Sequence, residues 1–277
     1  MKKTLKYYLK DKLNAKELKL VPSSFDIIGG ILIFSGFPKE LQKKEKIIAN
    51  VILSEYKHIN SIYKKSKKYS GTYRTPKLKL ISGVKTKETE YRENNIKIKL
   101  DVEKIYFSPR LSEERKRICK NVKENESILV MFSGCAIYPL VIGKNTMAKE
   151  IYGIELNPTA HKYALINVKL NKLENKIKLF LGDAKKIMPF IDKKFDRIVM
   201  PLPKGAENFL DLALNKIKKN GIINFYSFSK EEEYDKITTI IHNECKKLNK
   251  KCQILNIVKC GQFSPRVFRV CVDFRVE

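Results

Sequence analysis

The chain has 277 residues, with 57 Lys+Arg against 30 Asp+Glu and a formal net charge of +27. An apolar content of 43% over this length supports one large or two modest cores, which excludes a disordered polyelectrolyte. No apolar run approaches the ~18 residues of a membrane span. The first residues, Met1-Lys2-Lys3-Thr4-Leu5-Lys6-Tyr7-Tyr8, hold no signal-peptide core. The six cysteines and three histidines lack metal-ligand spacing. The expectation is a cytoplasmic, reduced protein with no metal and no membrane, whose partner is a polyanion such as a nucleic acid. A Cys245–Cys252 bridge is expected only in a source whose interior tolerates disulfides.

Residues 3–20 place Leu5, Tyr8, Leu9, Leu13 and Leu18 at helical spacing, up to the stop at Pro22-Ser23-Ser24. Phe25 to Phe34 reads as strand interrupted at Gly29-Gly30 by a bulge or a tight hairpin turn. Pro38 opens a helix with the stripe Leu41, Ile47, Ile48, Val51, Ile52 and Tyr56. Strands are expected at 59–64, 72–82 and 87–102, the last broken by a turn at Glu93-Asn94-Asn95. Residues 1–104 therefore read as a small α+β module. Between its first two strands, Lys64 to Arg74 reads as a flexible basic loop. Its lysines could track phosphates and its Tyr69 and Tyr73 could stack on bases, or it is a solvated lysine loop.

Residues 105–126 connect this module to the rest. Ile105-Tyr106-Phe107-Ser108-Pro109-Arg110-Leu111 leads into a helix with Ser112 as its expected N-cap. Arg110, Glu114 and Arg115 crowd the first turn, and a glutamate between two arginines is most simply a structural ion pair.

From residue 127 short apolar strands alternate with helices. Ser127 to Phe132 is a β-branched run closed by Ser133-Gly134, suited to a buried parallel strand. Glu150 to Ile154 ends on Glu155. Asn157 and Pro158 then cap and open a helix bearing Ala160, Tyr163, Ala164, Ile166, Asn167 and Leu170. Ile177 to Leu181 ends on Gly182-Asp183. A carboxylate ending the second strand can accept both ribose hydroxyls at the carboxyl edge of the sheet, and Asp183 is placed to reach an adenine amino group. Either acid alone is as readily a solvated strand-end group. Two at successive strand ends after a glycine turn favour a nucleoside. The turn Ser133-Gly134-Cys135-Ala136-Ile137 holds one glycine. That disfavours a pyrophosphate and admits S-adenosylmethionine, which has no phosphates, with Phe132 and Gly134 at its edge.

Phe195 to Met200 is a fourth strand, ending in the rigid turn Pro201-Leu202-Pro203-Lys204-Gly205. A helix follows and is expected to end at Asn220-Gly221. A fifth strand is expected at 222–228 and an amphipathic helix at 231–249. Strands 252–259 and 266–275, joined through Gly261-Gln262-Phe263-Ser264-Pro265, close the sheet. A strand–helix series ending in two adjacent strands is the arrangement of class I methyltransferases, whose last strand runs antiparallel.

Five segments carry a resemblance that runs from about residue 5 to 276. They are Tyr73-Arg74; Phe107-Ser108-Pro109-Arg110-Leu111 with Glu114-Arg115; Tyr138-Pro139-Leu140-Val141-Ile142; Pro201-Leu202-Pro203-Lys204-Gly205; and Cys245 to Cys252 with Val267-Phe268-Arg269-Val270-Cys271. Taken together, the set resembles archaeal tRNA guanosine-37 N1-methyltransferases, and among them the a-type that also acts in wyosine-derivative synthesis. The resemblance implies an α/β class I S-adenosylmethionine-dependent methyltransferase domain, Rossmann-like, at 127–277. It implies a small α+β tRNA-binding domain before it and catalytic residues on 105–126. Glu114 is then the general base for the N1 proton, Arg74 the partner of guanine O6 and of phosphate, and Arg110 a positioning residue. Arg115, Glu155, Leu156, Asp183, Ala184 and Pro201 match cofactor-contacting positions, and Pro201, Leu202, Pro203 and Lys204 match the substrate pocket. The expected substrate is a flipped anticodon-loop guanosine 37, with C7 of 4-demethylwyosine in tRNA-Phe as a second target, and the expected state is a monomer.

Three departures from the general family are visible. Pro201 stands where the family has Asn, which removes side-chain hydrogen bonding and opens the pocket to a tricyclic base. Val130 stands where an Asp ends the first strand, and the following loop has one glycine. The a-type shares these features. The additional N-terminal domain that such enzymes use to inspect the tRNA elbow is also not expected. Two competing readings remain: the aminocarboxypropyl transferase of the same pathway, which lacks the Ser-Pro-Arg-Leu-x-x-Glu-Arg pattern of 108–115, and a non-catalytic RNA-binding module with a decayed methyltransferase core.

Overall fold

The computed structural model describes residues 4–277, with the side chains of all but 67–70. The expected N-terminal charges Met1-Lys2-Lys3 and the side chains of Lys67, Lys68, Tyr69 and Ser70 lie outside the described residues. The chain divides into two compact units, Met1–Arg92 with Lys99–Pro109, and Glu93–Ile98 with Arg110–Glu277.

In the first unit the expected single N-terminal helix is two, α1 (Leu5–Leu9) and α2 (Ala15–Leu20). Asn14 breaks them: its side chain accepts from the Glu17 amide while the Glu17 carboxylate accepts from the Asn14 amide, a capping box. β1 (Phe25–Ile28) and β2 (Ile31–Phe34) form the expected hairpin across Gly29-Gly30. α3 (Glu45–Glu55) crosses over to β3 (Ser61–Ser70), which runs parallel to β2 and antiparallel to β4 (Thr75–Gly83), giving the order β1-β2-β3-β4. Leu32, Phe34, Leu41, Ile48 and Ile62 form the core, each at 2% exposure or less. Burial of each contributes roughly 1.5–3 kcal/mol. The basic loop expected at 64–74 is instead mostly ladder: Lys64 pairs Lys79, Lys65 pairs Leu78 and Ser70 pairs Thr75. Backbone pairing carries the strand where the side chains are too polar to announce it, and the turn shrinks to Gly71–Arg74. β5 (Glu88–Glu93) and β6 (Ile96–Asp101) form a hairpin whose turn end, 93–98, belongs to the second unit.

The second unit begins with α4 (Ser112–Lys120). Ser112 is its first helical residue rather than its cap, a position that Leu111 takes, and its hydroxyl accepts from the Asn94 side chain at 3.2 Å. A seven-stranded sheet follows, from β7 (Ser127–Met131), α5 (Ile137–Asn145), β8 (Glu150–Glu155), α6 (Pro158–Leu170), β9 (Ile177–Leu181), the short α7 (Ala184–Ile187), β10 (Phe195–Met200), α8 (Leu210–Lys216), β11 (Ile217–Ser229), α9 (Tyr234–Lys247), β12 (Cys252–Ser264) and β13 (Val267–Val276). The strand order is β12-β13-β11-β10-β7-β8-β9, with β13 antiparallel to both neighbours. β7 to β11 are mutually parallel, so Met131, Glu155, Leu181, Met200 and Ser229 end at one edge. The chain reverses its direction of travel between β7 and β10, the topological switch at which open α/β sheets bind ligands.

Two boundaries differ from expectation. α8 stops at Lys216, because Ile217 already pairs with Phe195 of β10. β12 and β13 run on to a turn at Pro265-Arg266, so Gly261 to Ser264 is strand. Asn157 caps α6, accepting from the Thr159 and Ala160 amides, with Pro158 at the first helical position.

Candidate active site

The carboxyl edge of the sheet is shaped by three left-handed residues. Phe132 (φ 59°), Gly134 (φ 58°) and Ala136 (φ 66°) alternate along the turn after β7. The conformation costs a non-glycine residue roughly 1–2 kcal/mol, so packing must impose it at Phe132 and Ala136. The turn's amides are directed to separate partners, Ser133 to the Ile154 carbonyl, Gly134 to Glu155 and Ala136 to the Ser133 carbonyl. Packing is visible on both sides: the Phe132 ring meets Phe209 edge-on at 4.9 Å, and the buried Asn167 side chain donates to the Cys135 carbonyl at 3.2 Å. A Cβ on Gly134 would meet nothing within 4 Å. The buried Ser133 hydroxyl has no partner among the described residues.

Glu155 ends β8 beside this turn. One carboxylate oxygen accepts from the Gly134 amide at 2.7 Å and the other from the Asn157 amide at 2.7 Å. A carboxylate has about four acceptor sites, so acceptor capacity is left beside these amides for ribose hydroxyls. Burial raises the Glu155 pKa above the ordinary glutamate value, and the amides of Asn157, Gly134 and Leu156 oppose that rise. Asp183 ends the next strand and spends one oxygen on the Lys185 amide at 2.9 Å, capping α7. Leu156 is exposed, Ala184 buried, and Pro201 and Leu202 half-buried, at the same edge; Pro203 is buried and Lys204 exposed. The acids, the open glycine, the unpartnered hydroxyl and the apolar flanks fit the nucleoside of S-adenosylmethionine.

Glu114 lies in α4 at 5% exposure. Its expected neighbours Arg110 and Arg115 do not hold it. Arg110 is exposed, while Arg115, 2% exposed, forms a bidentate pair with Glu93 and lies 6.0 Å from the Tyr138 ring centroid. Glu114 instead accepts from the Tyr226 hydroxyl at 2.6 Å and from Arg117 Nε and Nη2 at 2.7 and 2.8 Å. Arg117 also pairs with Asp273, which accepts from the Asn224 side chain at 2.6 Å, and Tyr138 donates to the Tyr226 hydroxyl at 3.1 Å. Burial drives both tyrosine pKa values up, so the hydroxyls stay donors; burial disfavours the Arg117 charge, but bonds to Glu114 and Asp273 hold its pKa above the ordinary arginine value. Arg117, Tyr226 and Asp273 were missed in the sequence. The available signals were the i+3 spacing of Arg117 from Glu114 and a lone acid inside the apolar run Val270-Cys271-Val272-Asp273-Phe274.

Arg74 belongs to the first unit, at φ 49° in the β3–β4 turn with its amide donating to the Gly71 carbonyl at 3.1 Å. All six cysteines are free. Among the described residues no group of His, Cys, Asp and Glu could hold a metal ion, and no helix is long and apolar enough to cross a membrane.

The sequence matches the model of the TRM5/TYW2 methyltransferase domain over residues 89–255 and that of the TYW2 N-terminal domain over 5–86. It is 38% identical over 260 residues to tRNA (guanine(37)-N(1))-methyltransferase Trm5b of Pyrococcus abyssi, covering 94% of this chain and 76% of the relative. The crystal structure of that Trm5b superposes with a TM-score of 0.87 over 98% of this chain and 80% of the other, at 37% identity. It is also 38% identical over 269 residues to tRNA (guanine(37)-N(1))/4-demethylwyosine(37)-methyltransferase Taw22 of Nanoarchaeum equitans, covering 79% and 88%. The structure of M. jannaschii TYW2 in complex with AdoMet matches with a TM-score of 0.70 and 26% identity over 92% of this chain and 99% of that one. Two family matches spanning most of the chain, and relatives covered over most of their own length, place it: this chain belongs to the TRM5/TYW2 methyltransferase family.

Proposed function

We propose that this protein transfers a methyl group from S-adenosylmethionine to N1 of guanosine 37 in tRNA, and to C7 of 4-demethylwyosine at the same position. The observation that carries the reading is the match to relatives named for these two reactions across most of the chain. The geometry of the second unit supports it, with a nucleoside edge at Glu155 and Asp183 and a buried, firmly held carboxylate at Glu114.

When bound, S-adenosylmethionine supplies a methyl group made electrophilic by its sulfonium. Glu155 accepts the ribose hydroxyls and Asp183 the adenine amino group, while Phe132, Gly134, Leu156, Ala184 and Pro201 surround the nucleoside. Arg115, engaged by Glu93, serves this set by fixing α4. N1 of guanine carries a proton that must leave as the new bond forms. Glu114 accepts it, its orientation set by Tyr226 and Arg117. Arg74 stabilises the charge that builds on O6 and contacts phosphate, and Arg110 assists positioning. Pro201, Leu202, Pro203 and Lys204 form the base pocket, where proline in place of an amide admits a tricyclic base. The protein acts as a cytoplasmic monomer on tRNA-Phe, its positive surface drawing the anticodon loop in.

Transfer of labelled methyl from the cofactor to a guanosine-37 transcript, absent with an adenosine-37 transcript, is the expected result. Label entering neither transcript, or both alike, overturns the reading. The aminocarboxypropyl reading is separated by the mass of the added group.

A further inference from the structure

The sheet face that carries the Glu114 network continues past it. Asn224, Tyr226 and Phe228 alternate on one face of β11, and opposite them on β13 stand Asp273, Cys271 and Arg269. Asn224, Tyr226 and Asp273 are buried in the network. Phe228 lies one pleat further out, about 7 Å along the strand, beyond Met200, where β10 has ended. On the third strand Gly261 stands opposite Arg269. Phe263, at the irregularity between Gln262 and Ser264, stacks on Phe228 with centroids 4.0 Å apart and an interplanar angle of 28°. Phe263 is 63% exposed, although the other side of the pair is closed by Arg269, 5.5 Å from the Phe228 centroid.

Phe263 thus has one ring face covered by Phe228 and leaves the other open to solvent. The surroundings fit an anionic, planar occupant. Arg266 is exposed at the hairpin turn and Lys230 follows β11. Of the four acids that follow β11, Glu231 is paired by Lys259 and Glu233 by Lys236, while Glu232 and Asp235 are exposed.

We infer that Phe263, backed by Phe228, is a stacking platform for a nucleobase of the anticodon loop that flanks the reacting nucleotide, with the phosphate beside it facing Arg266 and Lys230. The platform lies at the same edge as the pocket turn Pro201 to Lys204 and one pleat beyond Tyr226, which holds Glu114. A base splayed onto it keeps its neighbour unstacked, the state that chemistry at N1 requires. Stacking on an aromatic side chain is sequence-tolerant, so the platform fixes the loop without reading it.

The inference rests on the tRNA reading above, and the test separates the two. Affinity is measured for full-length tRNA transcripts with guanosine 37, intact or carrying one abasic residue at each anticodon-loop position in turn, with wild type, Phe263→Ala and Phe263→Trp. Expected is a roughly tenfold loss for Phe263→Ala on intact tRNA, restoration by Phe263→Trp, and unchanged cofactor affinity and melting temperature. One abasic transcript next to position 37 should cost the wild type a similar factor and Phe263→Ala nothing further. Wild-type affinity in Phe263→Ala, or the same loss with every abasic transcript, overturns the platform. A wild-type protein that binds tRNA without methylating it overturns the functional reading alone and leaves the platform to the same cycle. One that binds no tRNA overturns both.

Discussion

Glu114, proposed as the base, has an environment that only the fold reveals. The resemblance offered it as a candidate base, but of its partners only Arg117 is near in sequence, and nothing local announces Tyr226, or the Asp273 that holds Arg117. Glu114→Ala should retain cofactor binding and lose roughly 10²–10⁴-fold in N1 methylation; unchanged single-turnover rates would remove Glu114 from the chemistry. Tyr226→Phe should lower kcat by less than that and leave the cofactor KM in place, since it removes one of three donors to the carboxylate. At Glu155 the sign of the pH dependence is fixed by its raised pKa, for which burial is the largest cause. On acidification from neutrality it takes up a proton earlier than an ordinary glutamate, and the protonated acid accepts ribose hydroxyls poorly. Cofactor affinity should therefore fall earlier than the ordinary glutamate value implies, and Glu155→Ala should abolish it. The stability of the cofactor-free protein should move the other way. A raised carboxyl pKa contributes to folding below the unfolded value and loses that contribution as pH rises through the folded one. Titration calorimetry and melting curves across this range read the two slopes separately.

At the scale of elements, apolar periodicity located nearly every strand and helix of the second unit, because buried parallel strands such as Ser127–Met131 have no polar alternative. It failed where polar residues are structural. β3 extends through a lysine-rich segment by backbone pairing with β4. In α6 the expected inward positions Ile166 and Leu170 are exposed, while Asn167, placed on the same stripe, is buried as expected and reaches the Cys135 carbonyl. The pair Arg115–Glu93 fastens the β5–β6 turn to α4, and only the fold shows it. Removal of one member leaves a buried charge unpaired, so Arg115→Met should lower stability by roughly 3–5 kcal/mol in urea unfolding. A loss within experimental error would mean that the pair is hydrated.

For the whole molecule, the net charge of +27 was the earliest and most durable clue, since it concerns partners rather than folding. tRNA binding should weaken steeply with salt, log K falling linearly with log salt by roughly 0.7–0.9 for each phosphate neutralised. A flat response would mean that the lysines are merely solvated. The two-unit organisation and the antiparallel β13 agree with a class I methyltransferase core preceded by a small α+β unit. Which side chains complete the pocket was not legible, because the pattern of a sheet edge specifies its direction but not the reach of its loops.

The central claim is a particular bond formed on a particular base. Nucleoside mass spectrometry of tRNA incubated with the protein and isotopically labelled S-adenosylmethionine reads it directly, using one substrate with guanosine 37 and one with 4-demethylwyosine. The account predicts labelled 1-methylguanosine from the first and a singly methylated tricyclic base from the second. Label appearing as an aminocarboxypropyl group, at another nucleotide, or not at all would contradict it.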